Sequence, residues 1–216
     1  MKRDTKKLTT IAMMCALAYI VMFVARIPVV LFLKYDPKDV VIAIGGFLFG
    51  PLTSFVISAV VSLVEMFTVS ETGFWGLLMN ILSSCSFACT AAFLYKKRHN
   101  RKGAVIGLIS GVAAMVAVMM LWNYLITPIY MGYPRAAVAE LLLPAFLPFN
   151  LLKGGLNAAI TILLYKPVVT ALRKAGLAPE SKGDAGAPQG SLGVTLAALM
   201  ALVTCVLLVL VMKGVI

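Results

Sequence analysis

A handful of polar side chains stand inside stretches that are otherwise oily. Ser54, Ser58, Ser62 and Glu65 fall at intervals that bring them to one face of a helix. Asn80 and Ser84 share a face in the same way, and Asn123 sits one turn before Thr127 and Pro128. Asn150, Lys153 and Asn157 share another, introduced by Leu147-Pro148-Phe149. Ionisable and amide groups at membrane depth are costly, so each is a functional candidate. An acid, a lysine and several amides at one depth imply a pocket. Amides both donate and accept hydrogen bonds. Such a lining suits a neutral polar molecule, such as a heterocycle with imide edges and hydroxyls, better than an inorganic ion. The candidate binding residues are Glu65, Asn80, Asn123, Asn150 and Lys153, joined by Tyr35 and Asp39 from the loop Lys34-Tyr-Asp-Pro-Lys-Asp39.

Plainer roles compete at each position. Asn80 can bond a neighbouring helix. Lys153 can snorkel to the surface, or pair with Glu65 as a structural ion pair. Asp39 precedes an apolar helix and fits an N-cap, and Asp36 fits an ordinary loop. Tyr35, Trp75, Trp122 and Tyr124 suit the interfacial aromatic belt, or the stacking of a planar ligand. Arg135, Glu140 and the single histidine, His99, acquire no role. Cys85 and Cys89 share a face, but no further Cys or His stands near to complete a metal site; with Cys15 and Cys205 they read as packing residues. There is no phosphate-binding G-x-x-x-x-G-K-[ST], no H-E-x-x-H, no G-x-S-x-G and no acidic pair spaced for acid–base work. The expectation is no enzyme and no cofactor.

The elements that hold these groups follow from composition. The 216 residues are 62% hydrophobic and 12% charged, against roughly 45–50% and about 25% for soluble domains. This is an all-α integral membrane protein. The net charge of +11 would suggest nucleic acid in a soluble chain; here it marks basic cytoplasmic loops instead. A crossing helix needs about 20 apolar residues. The runs are Leu8–Ala25, Val40–Val69, Phe74–Tyr95, Ala104–Ile126, Ala145–Leu172 and Leu192–Met212.

Basic residues cluster at Lys2–Lys7, at Lys96–Lys102 and at Lys166–Lys182. One side of the membrane receives all three only if the second run crosses twice, breaking at Gly50-Pro51 into a short helix, Val40–Phe49, and a full one, Leu52–Val69. The N-terminus is then cytoplasmic and the candidate pocket opens outward. The expected organisation is a six-helix membrane domain over 1–175, a Gly/Pro/Ser-rich linker over 176–191, and an additional C-terminal transmembrane helix within 192–216. Ala12-x-x-x-Ala16 and Gly107-x-x-x-Gly111 permit close helix approach, the second best explained by internal packing.

Several segments resemble one family, the substrate-binding S components of energy-coupling-factor (ECF) vitamin transporters, riboflavin type. They are Leu33-Lys-Tyr-Asp-Pro-Lys-Asp39, Gly46-Phe-Leu-Phe-Gly-Pro51, Asn123-Tyr-Leu-Ile-Thr-Pro-Ile-Tyr-Met-Gly132, Leu147-Pro-Phe-Asn-Leu-Leu-Lys-Gly154 and Leu164-Tyr-Lys166. The resemblance spans about residues 8–174. It implies a six-helix bundle with an outward pocket, capped by the loop after the first helix. It further implies ligand contacts at Asn123, Asn150 and Lys153, with Asp39 and the Tyr35 loop near the lid. Ala12 and Ala16 match the pattern with which S components dock a membrane T component; two ATPase subunits complete the machine and power uptake. The implied ligand is riboflavin. An S component for another vitamin or precursor, or a membrane scaffold that binds nothing, are the alternatives. Val41 departs from the riboflavin type, which often has proline there, and the C-terminal helix departs from the six-helix plan.

Overall fold

The computed structural model describes residues 2–30, 33–178 and 192–212. In chain order the elements are α1 (Lys2–Val24), a two-stranded antiparallel hairpin of β1 (Ile27–Val30) and β2 (Leu33–Tyr35), α2 (Lys38–Phe49), α3 (Pro51–Thr68), α4 (Gly73–Lys97) and α5 (Arg101–Leu125). Two short helices follow, α6 (Thr127–Met131) and α7 (Arg135–Leu141), then a π turn over Leu142–Phe146, α8 (Leu147–Lys174) and α9 (Leu192–Met212). Six of the described helices are long and apolar enough to cross a membrane.

The second apolar run does break at Gly50-Pro51. Gly50 takes φ +97°, a conformation that a side chain disfavours, and Pro51 opens α3. With 12 residues, α2 rises only about 18 Å at 1.5 Å per residue, short of the roughly 30 Å hydrocarbon core. It tolerates this because lipid does not reach it: every residue from Lys38 to Phe47 is buried, packed among α1, α3, α4 and α8. Irregular backbone at membrane depth is admissible only when enclosed by protein in this way.

Around α2 lies one apolar core, with Ile42, Ala43, Ile57, Phe87, Ala91 and Met115 fully enclosed. The longest seam joins α4 to α5. A Cβ on Gly107 would come within 2.7 Å of the Ala91 carbonyl, and one on Gly111 would strike the Phe87 carbonyl. The Gly107/Gly111 spacing is thus an internal packing device. Asn100 caps α5, its side-chain oxygen accepting from the Gly103 N–H at 2.7 Å. A smaller apolar cluster joins the hairpin (Val29, Leu33, Tyr35) to Val138, Phe146, Phe149, Leu152 and Leu156.

Three features differ from the sequence expectation. The loop after α1 is a hairpin, too short and too mixed in pattern to announce itself. The segment before α8, expected as loop, coils into α6, α7 and the π turn, so α8 starts at Leu147 rather than Ala145. Asp39 does not cap α2: Pro37 stands at the cap and Asp39 lies in the first turn. The expected linker falls on residues 179–191, outside the described residues, apart from its first three.

Candidate functional site

Between the hairpin, α3, α4, α5 and α8 lies a cavity of about 100 Å³. Glu65, Asn80, Ser83, Asn123, Asn150 and Lys153 supply polar lining, and Leu33, Met79, Met119 and Phe149 supply apolar lining. Five of the sequence candidates therefore reach one cavity from four different helices. Tyr35 and Asp39 do not line it; they lie behind it.

The lining is held by a network of buried charges. The Lys38 ammonium donates to Glu65 at 2.5 Å and stands 3.9 Å from Asp36. Arg26, reaching in after α1, lies 3.7 Å from Glu65 and donates to the Val69 carbonyl. Lys153 lies 3.5 Å from Asp36 and 3.9 Å from Asp39. Asp39 also accepts from Ser84 and, at 3.3 Å, from the Asn157 amide, whose oxygen accepts from the Tyr35 hydroxyl at 3.0 Å. Arg26, Lys38 and Lys153 balance Asp36, Asp39 and Glu65, leaving the cluster neutral. That neutrality is what a low-dielectric interior requires, since unpaired charge there costs several kcal/mol per ion. Burial pushes the Asp36 carboxyl up, but Lys153 and Lys38 outweigh it and hold the group below the usual carboxylate range. Burial, with Asp36 and Asp39 adding, raises the Tyr35 phenol above its ordinary value. At the rim, Lys34 bonds the exposed Glu71 at 2.5 Å and holds that carboxyl low.

The proposed Glu65–Lys153 pairing is not formed. Glu65 belongs to Lys38 and Arg26, and Lys153 to Asp36 and Asp39. Nor does Lys153 snorkel: it is 6% exposed, because two carboxylates hold it inside. Lys38, Asp36 and Arg26 are not among the residues that the sequence singles out for binding. A lysine and an aspartate flanking Pro37 look like a solvated turn, and only the enclosure of that turn by α3 and α8 reveals otherwise.

A donor at the site is unspent: the Asn123 amide nitrogen is buried without a hydrogen-bond partner, and Asn123 opens on the cavity. The Trp122 indole N–H is also buried and unpaired, but lies outside the lining. The Asn123 carbonyl oxygen accepts from Thr127 at 3.0 Å, which orients the amide. The Asn150 amide nitrogen donates one N–H to the Phe146 carbonyl at 2.7 Å, so its acceptor oxygen and second N–H remain. Trp75, Trp122 and Tyr124 do not line the cavity, whereas Tyr130 does; Tyr124 lies half-exposed near the Arg135 guanidinium. Among the described residues no cluster of His, Cys, Asp and Glu could hold a metal ion.

A cavity with polar and apolar lining within a bundle of membrane-length helices is the arrangement of a small-molecule-binding membrane protein. The chain belongs to the family "ECF transporter, substrate-specific component", which matches residues 6–165. Among curated proteins it is 29% identical to the riboflavin transporter RibU of Staphylococcus aureus strain TCH60, over 80% of this chain and 95% of that one. It is also 29% identical to the riboflavin transporter FmnP of Bacillus subtilis strain 168, over 79% of this chain and 97% of the other. A solved structure, described as the S component of a bacterial ECF transporter, superposes with a TM-score of 0.67 at 29% identity. It covers 79% of this chain and 99% of its own.

Proposed function

We propose that this protein is the riboflavin-binding S component of an ECF importer, with Asn123, Asn150 and Lys153 as the recognition set. The observation that carries the reading is the unspent amide donor of Asn123, buried in a cavity that also holds the Asn150 oxygen and the Lys153 ammonium. The imide edge of a flavin presents acceptor, donor and acceptor in sequence. A donor, an acceptor and a donor are what complement it. The network around the cavity is already charge-balanced, which favours a neutral ligand. Methionines and Phe149 offer the apolar contact that a planar ring needs. Glu65 and Asn80 would meet the ribityl hydroxyls, while Asp39 and Tyr35 position Lys153 and Asn157 from behind.

Small-molecule pockets run from roughly 300 Å³ upward, about three times the cavity volume. Loading therefore requires the walls to part, and the hairpin with its charged ends is the part that would move. Ala12 and Ala16 lie on the exposed face of α1, available to a T component in the membrane, with two ATPase subunits supplying the energy. The N-terminus is cytoplasmic and the cavity opens outward across the plasma membrane.

Titration of the purified protein with riboflavin, followed by flavin fluorescence, tests the reading. Quenching that saturates at one flavin per chain is expected; fluorescence untouched by the protein would remove riboflavin as the ligand. Replacing Ala12 and Ala16 together by leucine should abolish uptake into cells while leaving flavin binding intact. Uptake that survives would refute the docking role.

A further inference from the structure

The family match ends at residue 165, and the superposed S component is covered to 99% by only 79% of this chain. The C-terminal helix is therefore an addition to the shared plan. It packs against the bundle along one face and is otherwise exposed. Its main contacts run along α8, and it also touches β1 of the hairpin.

One stripe of α9, formed by Leu202, Cys205 and Val209, is partly buried against the smaller apolar cluster. That cluster contains Val29, Leu33 and Tyr35 of the hairpin together with Leu152 and Leu156, the neighbours of Lys153 on α8. Gly155 permits the approach: a Cβ there would lie 3.2 Å from the Cys205 sulfur. The opposite stripe, including Leu199, Met200, Val203 and Val206, is exposed and faces lipid.

β1 pairs only with β2 among the described strands, so its other edge carries backbone groups with no strand to receive them. Hydrocarbon cannot satisfy or screen such an edge. A helix packed against that strand keeps lipid from the hairpin and adds van der Waals contact where lipid offers no competing order.

We propose that α9 is a seventh wall that holds the hairpin closed over the cavity and thereby slows ligand escape. The consequence for riboflavin rests on the function proposed above; the restraint of the hairpin does not.

Two readouts separate these claims. In full-length protein, Leu202→Ala with Val209→Ala removes the contact, while Leu199→Ala with Val206→Ala alters only the lipid-facing stripe. Without any ligand, amide hydrogen exchange across β1 and β2 should quicken at least fivefold in the first variant and stay at the wild-type rate in the second. With riboflavin loaded and chased, dissociation should quicken at least fivefold in the first variant only. If the first double variant does not fold, Val29→Ala removes the same contact from the hairpin side and should raise both rates. Exchange and dissociation at wild-type rates in the contact variants would overturn the proposal. Wild-type protein that fails to bind riboflavin would remove the flavin reading alone, with the exchange result still deciding the role of α9.

Discussion

Two lysines are buried at this site, and they are built differently. Lys38 is fully enclosed, closes on Glu65 at 2.5 Å, and does not line the cavity. Lys153 lines the cavity and stands 3.5 and 3.9 Å from its two carboxylates. The first has spent its charge inside the protein. The second makes only a long hydrogen bond to Asp36 and stands farther from Asp39, so its ammonium retains donor capacity toward a ligand. A buried charge in a membrane helix is a sign of function only when its geometry leaves something unspent. By that criterion Lys38 is framework, and Lys153 is the one proposed for recognition.

The contrast can be broken experimentally. Lys38→Ala should be a damaging change, because it leaves Glu65 with only the longer Arg26 pair at 3.7 Å and unbalances the buried cluster: a cost of up to about 3–5 kcal/mol, read as a fall in the melting temperature of the purified protein. Lys38→Met combined with Glu65→Leu should recover most of that loss, since an apolar pair of similar volume replaces the ions. A melting temperature unmoved by Lys38→Ala would collapse the distinction.

Lys153→Ala should instead act on binding. The expected loss is at least tenfold in riboflavin affinity, about 1.4 kcal/mol, beside a fall in melting temperature from leaving Asp36 and Asp39 short of a cation. Asn150→Ala should weaken binding comparably. Asn123→Leu keeps a similar size and removes the unspent donor without adding charge; affinity should fall by more than the lost Thr127 hydrogen bond lowers the melting temperature. Affinity at the wild-type value in all three would dissolve the recognition set.

Acid should discriminate next. The Asp36 carboxyl titrates below its ordinary value, so its contribution is complete above about pH 4 and is lost as pH falls through the lowered value. Riboflavin affinity should be level from neutral pH down to that range and then decline. Asp36→Asn should show the reduced affinity at every pH; a decline that persists unchanged in this variant would assign it to another group.

The smallest effect belongs to the rim. Glu71 is fully solvated, and surface pairs contribute little. Glu71→Gln should leave both the melting temperature and the affinity near wild type at physiological salt, and a large change would promote the Lys34–Glu71 pair from rim to latch.

The residues divide in the same way over what could be read in advance. Asn123, Asn150 and Lys153 stand out because an amide or ammonium in an oily helix costs free energy wherever the chain folds. Their helical periodicity shows which face they occupy. Lys38 and Asp36 do not stand out, because a charged residue beside a proline has an inexpensive solvated alternative. The break at Gly50-Pro51 was legible from backbone chemistry, and the Gly107/Gly111 seam from side-chain size. The hairpin and the coils before α8 were not, since their strands and turns are short and their stability comes from packing on α5, α8 and one another.

Local chemistry, then, determined that the chain lives in a membrane, where its long helices lie, and which polar groups require a reason to be there. Tertiary structure decided the partners. Glu65 meets Lys38 across 27 residues and Lys153 meets Asp36 across 117, pairings that no spacing encodes because they depend on how α2 is threaded among α3 and α8. It also decided that Asp39 and Tyr35 stand behind the cavity, and that α9 lies against the hairpin. Membrane insertion is a property of each segment against lipid. Pairing depends on which segments exclude lipid from one another, and that is set only when the bundle closes.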